Sequence, residues 1–123
     1  MNTEIYKDIL YHHAKIVSWE NNSICIEYVS GSKLWYQRGK LHRISGPAAE
    51  YADGDKWWYQ QGKLHRTDGP AIEYADGAKR WYQQNQLHRE DGPAVEWANG
   101  DKWWYIRGAR YTEKEFNAKL GGG

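Results

Sequence analysis

The chain has 123 residues, which is the length of one domain of ordinary size. Its 17 Lys and Arg residues nearly balance its 16 Asp and Glu residues, so no strong net field attracts nucleic acid or an anionic membrane. No apolar run approaches the about 20 residues that span a bilayer, and the N-terminus lacks the basic start and apolar stretch of a signal peptide; a cytoplasmic protein that does not contact membranes is expected.

The first predicted elements are a helix and a hairpin. Apolar residues recur at helical spacing between Ile5 and Leu10, which predicts a short N-terminal helix. The stretches AKIVSWE and SICIEYV flank Asn21 and Asn22 and predict an opening β-hairpin. Cys25 is the single cysteine, so no internal disulfide forms, and we expect it to be a small buried hydrophobic residue.

From there a phrase repeats with a period of 23 residues. The stretch LHRTDGPAIEYADG from Leu64 has close copies at Leu41 and Leu87. The period defines four copies, at residues 24–46, 47–69, 70–92 and 93–115. One tryptophan recurs in every copy, at Trp35, Trp58, Trp81 and Trp104. A phrase repeated at fixed spacing is first a structural unit, and these tryptophans are expected to form its packed row.

Each copy contains a β-hairpin signal. In AIEYADGAKRWY, the pair Asp76-Gly77 separates two strand-like runs and predicts a two-residue type I′ turn. That turn would place Glu73 opposite Arg80 and Ile72 opposite Trp81. The equivalent turns are predicted at Ser30-Gly31, Asp53-Gly54 and Asn99-Gly100.

The second half of each copy carries the chain to the next hairpin. Gly39, Gly62 and Gly108 mark one turn, and Asn85 stands there in the third copy as the usual substitute where φ is positive. The sequence leaves open whether the following KLHR is a strand or an ordered loop.

The array ends in a predicted helix. Thr112 followed by Glu115 is a capping box, with Phe116 and Leu120 placed to cover the last hairpin. Gly121–Gly123 are expected to be a disordered tail.

The sequence therefore predicts an all-β fold, an elongated single-layer array of consecutive antiparallel β-hairpins with short helical caps. The expected boundaries are an N-terminal cap at residues 1–23, four hairpin repeats at 24–111, a C-terminal capping helix at 112–120 and the tail.

The phrase WYQQGKLHRTDGPAIEYADG resembles the MORN repeat, and more closely the variant MORN-like repeats of bacterial and phage proteins. The shared features are the 23-residue period, an aromatic pair before a Gly turn, a His, and the closing Asp-Gly turn. The resemblance covers residues 24–111. It implies a curved sheet that binds other proteins and is not an enzyme, with inhibition of a partner as the expected role.

The repeated polar residues favour a structural reading. Histidines one copy apart lie about 10 Å from each other, too far to share a metal ion. Each His and the Arg after it are expected to brace a loop, with Asp68 and Asp91 as partners of Arg66 and Arg89. The glutamate of each copy is expected to pair across its hairpin. We predict no catalytic residue, no metal site and no cofactor.

The positions that differ between copies are the candidates for function. In the shared K-x-W-Y, the variable position x is Leu34, Trp57, Arg80 and Trp103. The predicted register puts it on the same face as the glutamates, in a row with steps of about 10 Å. Trp and Arg are enriched at interface hot spots, so this row is predicted to bind a partner. The alternative is that Trp57 and Trp103 pack only against their own chain.

The predicted function is that of a non-catalytic module that blocks or sequesters a bacterial or phage protein. Its candidate partner-binding residues are Trp57, Arg80, Trp103, Leu34, Arg43, Arg66 and Arg89. The alternative is binding of single-stranded nucleic acid or a nucleotide, with bases stacked on the aromatic rings and phosphates on the arginines.

Overall fold

The computed structural model describes residues 3–11 and 13–120, which fold mostly into short antiparallel strands joined as consecutive hairpins in an open sheet, as predicted. A helix stands at each end, α1 (Thr3–Leu10) and α2 (Glu113–Leu120). The strands are β1 (Ala14–Glu20), β2 (Ser23–Tyr28), β3 (Lys33–Gln37), β4 (Lys40–Leu41), β5 (Ala49–Glu50), β6 (Lys56–Trp57), β7 (Tyr59–Gln60), β8 (Lys63–Leu64), β9 (Ile72–Glu73), β10 (Lys79–Arg80), β11 (Tyr82–Gln83), β12 (Gln86–Leu87), β13 (Val95–Glu96), β14 (Lys102–Ile106) and β15 (Ala109–Tyr111).

The elements group into two compact units, Met1–Lys63 and Leu64–Gly123. Neither described helix is long and apolar enough to cross a membrane. The tail predicted at Gly121–Gly123 lies outside the residues that the structure describes.

In the first unit, β1, β2, β3, β5 and β6 pair in that order, and β4 turns back onto β3. Asn21 and Asn22 form the predicted opening turn with φ of 48° and 66°. The core contains Cys25, Trp35 and Ala48, all buried. Cys25 is thus the small buried residue that was predicted, and burial raises the pKa of its thiol.

In the second unit, β9, β10, β13, β14 and β15 pair in order, and β12 pairs with β11. Helix α2 contacts β14 and β15 and buries Phe116. The capping box is present: the Thr112 N–H donates to Glu115 Oε1 at 2.8 Å, and the Glu115 N–H donates to Thr112 Oγ1 at 3.1 Å. Leu120 is 40% exposed, so Phe116 carries the packing of this helix.

The four Xaa-Gly pairs form the tips of β-hairpins, as predicted. Their turn type, however, differs from the predicted type I′. Tyr74 N–H donates to the Ala78 carbonyl at 2.9 Å, and Gly77 N–H donates to the Tyr74 carbonyl at 3.0 Å. Gly77 has a positive φ of 97°, whereas the φ of Asp76 is not positive. This is a three-residue loop, a type I turn followed by a Gly in the left-handed region, in place of the predicted type I′ turn.

The extra loop residue shifts the hairpin register by one position. In the structure, Lys79 lies opposite Glu73 and Arg80 lies opposite Ile72. The predicted two-residue turn would have placed Arg80 opposite Glu73. Because residues that pair across antiparallel strands point to the same side, a one-residue shift exchanges the faces. The predicted assignment of the variable position to the glutamate face is therefore wrong.

The corrected register defines two faces. The aromatic face carries the variable position paired with Ile26, Ala49, Ile72 and Val95. The carboxylate face carries each glutamate paired with a lysine, as Glu27 with Lys33 and Glu96 with Lys102. The recurring tryptophan lies on this second face, where Trp35 pairs with Cys25. The glutamates do pair across their hairpins, with lysines rather than Arg80 as partners.

The type I′ turns lie in the second half of each copy. Gln84 and Asn85 have φ of 50° and 69°, and the Arg38-Gly39, Gln61-Gly62 and Arg107-Gly108 pairs are equally left-handed. Asn85 thus occupies a glycine position, as predicted. The question of KLHR resolves in two parts, because Lys-Leu is a short strand, as in β4, and His-Arg is a loop.

Candidate functional site

On the carboxylate face, a repeated brace holds the arginine that follows each histidine. Arg89 Cζ lies 3.9 Å from the centroid of the Trp81 ring. Its Nε donates to Asp91 at 2.7 Å and its Nη1 to the Pro93 carbonyl and to Glu96, both at 3.0 Å. Arg66 repeats these bonds with Asp68, Pro70 and Glu73 at 2.8, 3.1 and 3.0 Å. The predicted pairs with Asp68 and Asp91 are confirmed.

The first brace obtains its carboxylate from another strand. Ser45 stands where later copies have Asp, and Glu20 at the end of β1 supplies the missing group. Arg43 Nε donates to Glu20 Oε2 at 2.9 Å, and the Ser45 hydroxyl donates to the same oxygen. The hydrogen bonds from Arg43 and Ser45 hold the pKa of Glu20 below its ordinary value. Arg43 also lies 4.0 Å from the Trp35 ring centroid.

The brace explains the glycine of the DGP phrase. A Cβ placed on Gly69 or Gly92 would lie 2.9 Å from the Cζ atom of Arg66 or Arg89. No side chain fits at that distance unless the guanidinium moves. These glycines therefore allow the close approach of the arginine, and neither of them has a positive φ.

The histidines hold the type I′ turns. His42 Nδ1 accepts the Gln61 N–H at 3.0 Å, and His88 Nδ1 accepts the Arg107 N–H at 2.9 Å. His65 does the same for Gln84 at 3.2 Å. The prediction that each His and Arg braces a loop is confirmed. Among residues 3–11 and 13–120, no three His, Cys, Asp or Glu side chains come together to hold a metal.

The brace loops of the second unit border a groove of about 580 Å³ that is lined by Arg66, Arg89 and Trp81, among others. Its two arginines are already bonded to carboxylates. Two of those carboxylates, Asp68 and Asp91, are more than four-fifths exposed. The arginines of this groove are poorly placed to receive a further anion.

On the aromatic face of the second unit, five side chains form a continuous row that we call the ladder: Tyr74, Arg80, Trp97, Trp103 and Arg110. They follow the strand order β9, β10, β13, β14, β15. Arg80 Cζ lies 5.5 Å from the Tyr74 ring centroid and 5.1 Å from that of Trp97. Trp97 and Trp103 meet edge to face at 5.3 Å, and Arg110 lies 4.1 Å from the Trp103 centroid.

The ladder side chains bury the apolar residues of the strands beneath them, and they are themselves partly exposed to solvent. Ile72 and Val95, on the strands beneath it, are each only 2% exposed. The ladder members themselves are half-buried, apart from Arg110, which is exposed. Helix α2 lies on the opposite face from the ladder, because its Lys119 Nζ is 5.7 Å from the ring of Tyr111, which pairs with Trp104 and so faces away from Trp103. One side of each ladder ring therefore packs on the sheet and the other meets solvent.

The ladder arginines differ from the brace arginines in their partners. Within the described part of the chain, no carboxylate lies within ion-pair distance of Arg80 or Arg110, whereas each brace arginine has two. Aromatic rings hold the two ladder guanidinium groups instead. A guanidinium stacked on a ring keeps its edge N–H donors available, because stacking uses only the face of the group.

The first unit carries the aromatic part of this pattern without the arginines. Trp57 contacts Tyr51 edge to face at 5.8 Å and stacks on Tyr59 at 6.3 Å. Leu34 occupies the variable position, paired with Ile26 and Ala49. Burial raises the pKa of the Tyr51 hydroxyl. This unit presents an uncharged aromatic surface at the equivalent positions.

The structure divides the predicted site residues between the two faces. Leu34, Trp57, Arg80 and Trp103 lie on the aromatic face. Strand β13 lies between Arg80 and Trp103, and its Val95 pairs with both. Arg43, Arg66 and Arg89 belong to the braces.

Sequence reasoning missed Tyr74, Trp97 and Arg110. Comparing the copies offered a signal for two of them, since Trp97 replaces a tyrosine and Arg110 replaces the leucine of the three earlier copies. Only the correct register reveals that both adjoin the variable position.

Comparison of the chain with models of known protein families, with curated proteins and with solved structures gives no match.

Proposed function

We propose that this chain is a non-catalytic repeat module that binds another protein through its aromatic face. The ladder carries the proposal, because five adjacent strands present an unbroken row of Trp, Tyr and Arg. These residue types dominate the binding energy of protein interfaces, where they supply large apolar area together with polar groups.

The division of labour between the faces supports this function. The recurring tryptophan and glutamate occur in all four copies and the His-Arg pair in the first three, and the braces and turns of the scaffold are built from these residues. The variable position holds Leu34 in one copy and Arg80 in another on the same kind of hairpin, so the hairpin itself does not require Trp or Arg there. The residue type at the variable position of the ladder is therefore not fixed by the requirements of folding.

The particular role we propose is to block or sequester a bacterial or phage protein, as the resemblance to MORN-like repeats implies. The nucleic-acid alternative loses support because three of its arginines, Arg43, Arg66 and Arg89, already donate to carboxylates and backbone carbonyls. A phosphate would have to compete with carboxylates that already lie at ion-pair distance from these arginines.

The test is affinity capture from bacterial lysate with three forms of the full chain, followed by measurement of binding to each purified captured protein. Trp103→Leu introduces the residue that the first copy carries at the variable position. Lys79→Ala is the control, an exposed change on the carboxylate face.

We expect a captured protein to bind wild type and the Lys79→Ala control equally and to lose at least about 2 kcal/mol with Trp103→Leu, as for a hot-spot residue. Equal binding by all three forms would show that the aromatic face is not the interface.

A further inference from the structure

The two ladder arginines differ from the brace arginines in their charged neighbours. Arg80 is half-buried between Tyr74 and Trp97, and Arg110 lies over Trp103 at the other end of the row. Within the described residues neither has a carboxylate at ion-pair distance. The same chain gives two carboxylates to each of Arg43, Arg66 and Arg89.

This difference matters most for the half-buried Arg80, because a partly desolvated charge is costly until a counter-charge and hydrogen bonds compensate it. A guanidinium that lies over a ring uses only its face in that contact, so its edge N–H groups remain able to donate two parallel hydrogen bonds to a carboxylate. Arg80 and Arg110 are three strands apart, or about 14 Å at about 4.8 Å per strand. Trp97 and Trp103 fill the space between them.

We propose that the ladder binds an acidic peptide segment of the partner protein, with a carboxylate held by Arg80 or Arg110 and apolar side chains lying against Trp97 and Trp103. This inference rests on the proposed function and specifies the chemistry of the partner. An alternation of cation, aromatic pair and cation fits a segment in which acidic residues flank apolar ones.

A peptide fits this surface better than a single-stranded nucleic acid. A polynucleotide carries a negative charge at every nucleotide and needs a continuous cationic track. The hairpin tips next to the ladder strands carry Asp76 and Asp101, both exposed, so the cationic surface does not continue onto these tips. Two separated arginines are sufficient for one or two carboxylates.

The experiment begins with selection of a random 12-residue peptide library on the full chain, and the best peptide is then titrated by fluorescence anisotropy. Its analogue with every Asp and Glu changed to Asn and Gln tests the charge. The variants are Arg80→Leu and Arg110→Leu, which introduce the leucines that other copies carry at Leu34 and Leu87. Arg107→Gln is the control, because it removes one exposed charge and introduces the residue of the equivalent turn at Gln84.

We expect the selected peptides to be rich in Asp and Glu. The amide analogue and at least one ladder variant should bind about tenfold to a hundredfold more weakly, as for hydrogen bonds between charged groups. Arg107→Gln should leave the affinity within about twofold. Far-UV circular dichroism and thermal unfolding of each variant confirm that the scaffold remains folded.

Three outcomes would overturn the inference. If the selected peptides lack carboxylates but lose affinity with Trp103→Leu, the proposed function stands and the acidic partner is wrong. If the peptides bind equally to all variants, the ladder is not the site. If a labelled 12-nucleotide oligo-deoxythymidine binds more tightly than any peptide and depends on Arg80, the ladder recognises nucleic acid instead.

Discussion

At the scale of single residues, one residue type performs two tasks on opposite faces. Arg89 is fixed by a ring, two carboxylates and a carbonyl, whereas Arg80 lies over the Tyr74 and Trp97 rings and has no carboxylate at ion-pair distance among the described residues. The charge is the same in both places, and the partners differ. A guanidinium whose Nε and Nη1 donate to carboxylates and a carbonyl stabilises the fold, and one held through ring contacts is available for recognition.

The brace leads to a prediction about Gly92. Its Cβ position lies 2.9 Å from the Arg89 guanidinium carbon, so Gly92→Ala should lower the free energy of unfolding by about 1–3 kcal/mol through overpacking. Arg89→Met alone should cost about 2 kcal/mol, because it removes hydrogen bonds to charged groups. Urea denaturation of both single variants and the double variant measures these values.

The double variant is the sharper part of this test. Once Arg89 is replaced by a flexible side chain, the alanine at position 92 no longer meets a fixed guanidinium. We expect the two costs to be less than additive, with a coupling energy of at least about 0.5 kcal/mol. Additive costs would mean that the glycine is needed for another reason.

A second residue-scale prediction concerns acid stability. The pKa of Glu20 lies below its ordinary value of 4.5, mainly because Arg43 donates to it and then because Ser45 does. A carboxyl group with a lower pKa in the folded chain stabilises the fold above pH 4.5 and loses that contribution as the pH falls through the lowered pKa.

Glu20→Gln should therefore unfold at lower urea than wild type at pH 7, and the difference should shrink as the pH falls below 4.5. Parallel urea titrations between neutral and strongly acidic pH measure it. Because Asp68 is present in both proteins, the effect of its lowered pKa is the same in each and cancels in the comparison. A difference that stays constant with pH would show that the Glu20 charge does not act through this brace.

At the scale of elements, the hairpin loops decide which side chains share a face. A type I turn followed by a left-handed Gly places three residues between the strand ends, and a type I′ turn places two. The two loop types alternate along each copy. The face of the variable position therefore depends on a single loop residue.

Helix α2 gives an element-scale prediction. The hydrogen bond from the Glu115 N–H to Thr112 Oγ1 satisfies one of the N–H groups at the start of the helix. Thr112→Ala should lower the free energy of unfolding by about 1 kcal/mol, as for other N-cap residues. The measurement is the thermal unfolding midpoint of Thr112→Ala compared with that of Lys114→Ala, which changes an exposed residue in the same helix. Equal midpoints for the two variants would mean that the cap contributes nothing.

At the scale of the whole molecule, the repeated hydrogen bonds make one copy dispensable. The His Nδ1 to backbone N–H bond recurs with a separation of 19 residues at His42, His65 and His88. Deletion of residues 70–92 joins Gly69 to Pro93 and restores the phrase DGPA. His65 would then face Arg107 in place of Gln84.

We expect this 23-residue deletion to fold, with strand-rich circular dichroism and a cooperative but lower thermal transition, because stability in repeat arrays is a sum over neighbouring units. The matched control deletes residues 70–81, which removes one strand pair and joins segments out of phase. Cooperative unfolding of the control alone would contradict the repeat organisation.

The sequence alone determined the period, the hairpin positions and the turn at Asn85, because these depend on local backbone preferences that glycine and asparagine signal directly. It also predicted one carboxylate partner for each of Arg66 and Arg89, namely Asp68 and Asp91, which lie two residues away. These features involve residues close in sequence or repeated at a fixed interval.

Only the tertiary structure decided which face each side chain occupies and which arginines are engaged. Asp-Gly is compatible with both a two-residue and a three-residue hairpin loop, and the choice inverts every face. Glu20 reaches Arg43, and Trp97 and Arg110 reach the variable position, through strand pairing between residues distant in the sequence. Such contacts depend on register, and register is a property of paired strands rather than of either strand by itself.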